Sequence, residues 1–156
     1  DIVMTNPPFG SIIGLEALAS LGHFELAGHR KKVPLEILGL ERSLQFLRIG
    51  GKLAIVLPES ILVNKSTLFV REWLKLNTNV LAIVSLPIET FSPFGANIKT
   101  SILILEKAQK RHSDQKGVFV GEVTNIGFDS SGRSIPGSNV EEIQSHLKQH
   151  LKSAGW

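Results

Sequence analysis

The chain has 156 residues, 42% of them apolar and 20% charged, which suits one packed domain, or one large piece of a bigger one, and leaves too little charge for disorder. It has no cysteine, which excludes disulfide staples, thiolate catalysis and cysteine zinc sites and fits a reducing cytoplasm. Seventeen Lys and Arg against fourteen acids give a net charge of +3, which permits an anionic partner such as nucleic acid without demonstrating one.

No apolar run approaches the ~18 residues of a membrane span, and the start is neither a basic signal region nor an Arg-rich transit peptide. No membrane partner is expected, and the expected location is the cytoplasm. The chain opens at Asp1, without Met, directly in a strand-like stretch, so it reads as a fragment.

In chain order, Ile2, Val3 and Met4 favour a strand that Asn6, Pro7 and Pro8 must end, because proline removes the ladder donor and holds its predecessor extended. Residues 10–34 are rich in Gly, His and Lys and weakly periodic. Pro34 suits the first turn of a helix with Leu35, Leu38, Leu40, Leu44 and Leu47 on one side, closed by Gly50 and Gly51. Lys52–Leu57 reads as a buried strand ended by Pro58. After a loop, Ser66 is placed to cap a helix carrying Phe69, Trp73 and Leu76.

Val80–Leu86 and Thr100–Leu105 are further apolar strands, separated by the loop that holds Phe91, Pro93 and Gly95, and Val118–Val123 adds a last one. Beyond residue 124 comes a Gly- and Ser-rich connection, then a helix with Val140, Ile143, Leu147 and Leu151 in register, for which Asn139 and Glu142 resemble a capping box. Nearly all-apolar strands alternating with helices predict an α/β fold with a mainly parallel sheet covered on both faces. Between Leu86 and Thr100 there is no room for a crossover helix, so those two strands are expected to be antiparallel, with or without a third between them.

Ligands of open α/β sheets gather at the carboxyl ends of strands. There Asn6 offers an amide oxygen, Pro7 and Pro8 fix the backbone and expose carbonyls, and Phe9 offers a flat apolar face. This set suits a planar group bearing an exocyclic amine. The lone pair of such an amine is delocalised into its ring. Two acceptors, the Asn6 side chain and the Pro7 carbonyl, would draw the nitrogen toward sp3 geometry and localise the pair. Asn is no base at neutral pH, so the contribution is positioning and electrostatics.

The segment DIVMTNPPFG resembles the fourth conserved motif of adenine-N6 DNA methyltransferases, most closely in the modification subunits of type I restriction-modification systems. GGKLAIVLPESIL at 50–62, the stretch at 80–107 and VTNIGFDSSGRSIPGS extend the resemblance over most of the chain, apart from residues 10–34. It implies a partial doubly wound, Rossmann-like methyltransferase sheet. Residues 1–124 would hold its fourth to seventh strands, with the seventh antiparallel between the fifth and sixth, and residues 125–156 a connection and terminal helix.

The resemblance also implies S-adenosylmethionine as methyl donor and an adenine flipped out of duplex DNA as acceptor. Specificity and restriction subunits would be partners, the target sequence being read by a separate subunit. Phe9 would stack on one face of the base, Asn6 and Pro7 would hold its N6, and Phe91 matches the family's contact on the opposite face. The family's donor site lies upstream of this motif, so the isolated chain is expected to bind the donor very weakly and not to turn over.

Arg30, Lys31 and Lys32 beside His29 are candidates for DNA phosphate contact, and Lys107, Lys110, Arg111 and Lys116 read as an exposed loop. Glu59 follows a strand and suits a surface or capping role better than a pocket. Five scattered histidines lack metal-ligand spacing, and Ser60, Ser66 and Ser92 have no visible His and Asp partners. Two alternatives remain at this point: another amine methyltransferase, acting on protein glutamine or RNA guanine, and a non-catalytic assembly module of a restriction complex.

Overall fold

The computed structural model describes residues 1–156 except Leu21, His29, 109–116, Ala154 and Trp156. Five strands form one mixed sheet: β1 (Ile2–Thr5), β4 (Lys52–Pro58), β5 (Thr78–Leu86), β6 (Thr100–Lys107) and β7 (Phe119–Glu122), in the order β1-β4-β6-β5-β7. β1 runs parallel to β4 and β7 parallel to β5, while β6 is antiparallel to both of its neighbours. The antiparallel strand lies where the resemblance puts it, between the strands that flank it in the family's sheet order. β5 and β6 pair directly, with no third strand between them.

The sheet is amphipathic in register. Leu53, Ile55 and Leu57 of β4 and Leu103 and Leu105 of β6 point to one face and are at most 1% exposed. Two helices cover that face: α2 (Leu35–Gln45), through Ile37, Leu38, Leu40 and Leu44, and α4 (Leu68–Asn77), through Val70 and Leu74. Each fully buried Leu or Ile contributes about 1.5–3 kcal/mol of apolar transfer, so this layer holds most of the stabilising burial.

A bulge between Val80 and Ala82 reverses the facing of β5, so Val84 and Leu86 turn to the opposite side. There they pack with Val123, Ile102 and Phe119 against Val140, Ile143 and Leu147 of α5 (Val140–Ser153). The opposite side is otherwise open over β1, where Ile2 and Met4 are 73% and 79% exposed. Among the described residues, α2 and α4 cover the first face over β4 and β6, while Val120 of β7, in register with Ile83 on that face, stays 74% exposed. The expected two-sided cover is present in part: α5 covers β5 and β7 on the second face, and nothing described covers β1 there.

Several boundaries differ from the sequence reading. Residues 10–34 contain a small antiparallel pair, β2 (Ile12–Gly14) with β3 (Lys32–Pro34), and a short helix, α1 (Leu15–Ser20). Pro34 closes β3 and precedes α2 instead of lying inside its first turn. α2 ends at Gln45, and Leu47 is buried in the turn that follows. A second short helix, α3 (Glu59–Val63), follows β4 directly.

Ser66 caps nothing: residues Lys65–Thr67 make one tight turn, and Thr67 Oγ1 donates to the carbonyls of Ser60 and Asn64 at 3.0 Å. Asn139 forms no capping box, because its Oδ1 accepts the amides of Thr124 and Asn125 at 3.0 and 3.2 Å and its Nδ2 donates to the Glu122 carbonyl. Its side chain clips the 125–138 loop to the end of β7.

Candidate active site

β1 stops at Thr5 because the next residues cannot continue the ladder, and this delivers Asn6 to the carboxyl end of the sheet. Asn6 is exposed, and neither its side chain nor the Pro7 carbonyl accepts a hydrogen bond from any described residue. Pro7 is buried beneath α2, where a Cβ added at Gly39 would lie 3.1 Å from Pro7 Cβ. A side chain at this position would crowd the proline and push the helix back by a few tenths of an ångström. Gly39 is therefore a site-building residue that the sequence reading passed over. Its signal was a glycine inside an otherwise apolar helical pattern.

Phe9 is half-buried, and Phe91 comes back to meet it from the loop after β5. Their ring centroids are 5.7 Å apart at an interplanar angle of 85°, an edge-to-face contact. Two residues 82 positions apart are thus brought together beside Asn6 and Pro7. The rings lie against each other and are not parallel. A planar base seated between them needs roughly 7 Å of separation, two stacking distances, so entry requires one ring to swing. Pro8 is exposed.

The loop carrying Phe91 is internally braced. Ser92 Oγ donates to the Ile88 carbonyl, and the amides of Phe94 and Ala96 donate to the Phe91 carbonyl. Behind it, a Cβ at Gly132 would lie 3.5 Å from Pro93 Cβ, so the 125–138 loop leans on this one. That second loop is organised by Asp129, whose carboxylate accepts the Ser131 hydroxyl at 2.7 Å and the Arg133 amide at 3.0 Å. These bonds, the Ser131 hydroxyl first, hold the Asp129 carboxyl below its ordinary range. Between the two loops lies a cavity of about 270 Å³, lined by Pro87, Glu89, Asn125, Phe128, Asp129 and Ile135 among others.

Glu59 spends its carboxylate on a lateral tie: Oε1 accepts the Ser85 hydroxyl at 3.1 Å and Oε2 lies 3.6 Å from Lys99 Nζ. Lys99 also reaches Glu122 at 3.5 Å, so the ends of β4, β5 and β7 are bound together. The basic triplet splits. The Arg30 guanidinium lies 3.5 Å from the centre of the Phe69 ring, whereas Lys31 and Lys32 are exposed. His29 lies outside the described residues, as do Lys110, Arg111 and Lys116. Lys107 donates to the Leu47 carbonyl at 2.5 Å and is not part of a free loop.

The Gly50–Gly51 pair does not fit as a cradle for S-adenosylmethionine, the methyl donor that the resemblance implies. Gly50 and Gly51 form a turn at the amino end of β4, opposite Asn6. The Gly50 amide donates to the Lys107 carbonyl, and a Cβ at Gly51 would meet the Arg48 carbonyl at 2.9 Å. The Gly50 amide thus serves the sheet, and the Gly51 amide closes the turn on the Arg48 carbonyl at 3.0 Å.

With this geometry in view, the solved structures give the fold. A class I S-adenosylmethionine-dependent methyltransferase, so described, from Listeria monocytogenes aligns with 96% of this chain and 42% of its own, at a TM-score of 0.70 and 23% identity. A protein described as the modification subunit of a type I restriction enzyme in Vibrio vulnificus aligns with 97% of this chain and 31% of its own, with TM-score 0.67 and 18% identity. The fold is that of the methyltransferase sheet.

The family model for N-6 DNA methylases matches residues 1–155, and the chain belongs to that family. The methylase subunit of the type I restriction enzyme EcoEI from Escherichia coli is 31% identical over 117 residues, 70% of this chain. This chain spans about a fifth of that relative, 21% of its length.

Proposed function

We propose that the whole protein methylates the N6 of adenine in DNA as the modification subunit of a type I restriction-modification system, and that this chain supplies the target-adenine pocket. The observation that carries the reading is a pair of unpartnered acceptors, the Asn6 amide oxygen and the Pro7 carbonyl, held beside two aromatic rings at the end of β1. An adenine rotated into this space would donate both N6 hydrogens to the two acceptors and press its face on Phe9, while Phe91 swings to close on the other side. Flipping costs a few kcal/mol, which stacking and the two hydrogen bonds offset.

The two acceptors favour the tetrahedral, nucleophilic amine over the planar one, and this needs no base. S-adenosylmethionine would supply the methyl group, and residues outside this chain would hold it. Residues 1–124 then form the pocket-bearing part of the catalytic domain and 125–156 a connection and helix packed on it. Specificity and restriction subunits are the expected partners in a cytoplasmic complex, and Arg30, Lys31 and Lys32 the expected contacts to DNA phosphate.

Phe9 and the similarity to the EcoEI subunit favour DNA adenine over protein glutamine or RNA guanine as substrate. The whole protein, purified with the subunits that accompany it, is to be incubated with methyl-labelled donor and DNA from a strain lacking the modification. Label in N6-methyladenine at one recurring sequence is expected, and label absent from adenine would sink the reading. Calorimetry on this chain alone should show no micromolar donor binding.

A further inference from the structure

Phe94 is the most exposed large apolar side chain among the described residues, at 80%. It lies three residues beyond Phe91, in the tight turn Ser92–Phe94, which ends at Gly95 with φ 85°. An aromatic ring left in water costs stability, and a mobile loop would fold it back onto the protein. Here the loop does not allow that. The Phe94 amide is tied to the Phe91 carbonyl at 3.0 Å, the Gly95 amide to the Ser92 carbonyl at 3.0 Å, and Pro93 is backed by the turn at Gly132. Only the next residue's left-handed conformation, natural to glycine, lets the chain turn away at once and leave the ring at the tip.

We infer that Phe94 is a wedge that enters the DNA base stack next to the target adenine. The inference rests on the adenine pocket proposed above. An adenine that leaves the duplex for the space beside Phe9 opens a gap whose two neighbouring bases lose their stacking partner. An apolar ring on a rigid turn, anchored to the same loop that touches Phe9 through Phe91, is placed to fill that gap and recover part of the lost stacking. The loop then does two things with two rings: Phe91 meets the evicted base, and Phe94 props open the place it left.

The test uses the whole protein with its accompanying subunits and a duplex carrying the methylated sequence identified above, in two forms. In one the target adenine is paired with thymine; in the other it faces an abasic site and leaves the stack at little cost. Phe94→Ala is expected to slow methylation of the paired duplex about tenfold or more, and to be restored to within roughly threefold of the parent on the abasic duplex. Phe94→Leu is expected to keep most of the parent rate on both.

With 2-aminopurine in place of the target adenine, the Phe94→Ala variant should give a weaker fluorescence rise on binding, because fewer targets stand out of the stack. Equal rates for parent and Phe94→Ala on the paired duplex would overturn the wedge and leave the pocket standing. A loss of the same size on both duplexes would also overturn it, assigning Phe94 to something other than flipping. A parent that methylates no adenine would remove the pocket reading and the wedge with it.

Discussion

The two ends of the sheet are bonded differently. At the amino end buried and half-buried charges are partnered: Glu41, 1% exposed, accepts the amides of Glu25 at 2.6 Å and Leu26 at 2.8 Å, and Lys52 reaches Glu106 at 2.5 Å. At the carboxyl end the Asn6 side chain, the Pro7 carbonyl and the Phe94 ring are left without described partners. The first arrangement holds the chain together, and the second leaves free the groups that the proposed adenine pocket and wedge would use. Substitutions at the two ends should therefore separate cleanly into losses of stability and losses of rate.

The largest effect is expected at the carboxyl end. Asn6→Ala in the whole protein should lower the methylation rate about 10²- to 10³-fold, the usual cost of removing one preorganised polar group from the reacting atoms. Its melting temperature should stay within a degree or two of the parent. A matching fall in stability would break the contrast. Next comes Glu41→Ala, which strands two amides in a buried turn and should cost about 2–4 kcal/mol in denaturant unfolding, with the rate per folded molecule unchanged. Phe9→Ala follows, with roughly tenfold weaker turnover from lost stacking, partly recovered by Phe9→Trp.

The smallest effect belongs to Asp129. Its carboxyl titrates below the ordinary range when folded, so what it contributes is present above that range and is lost as the pH falls through its folded value. Asp129→Asn should speed hydrogen exchange at the Ser131 and Arg133 amides at neutral pH, and the difference from the parent should vanish in strong acid.

Much of the sheet was legible because prolines punctuate it. Asn6-Pro7-Pro8 and Pro58 mark strand ends by removing ladder donors, and the short span from Leu86 to Thr100 dictated an antiparallel neighbour. The β2–β3 pair was not legible, since three-residue strands among glycines carry no period. Asn139 misled for a different reason. A side chain suited to capping also suits a loop clip, and the choice depends on where the Thr124 and Asn125 amides lie in space. Within the candidate site, Asn6 to Phe9 announced themselves by composition, and Phe91 only through the family resemblance. Its contact with Phe9, and the approach of Gly39 to Pro7, are long-range facts that no local pattern encodes.

That approach ties the chemistry to the scaffold. Because the helix packs on the proline at a spacing that an added methyl would strain, a slight shift of the helix, from warming or from a bulkier neighbour, is expected to move the amide beside it. Turnover should then fade before any spectroscopic sign of unfolding, so that activity serves as the more sensitive thermometer of how well the interior is seated.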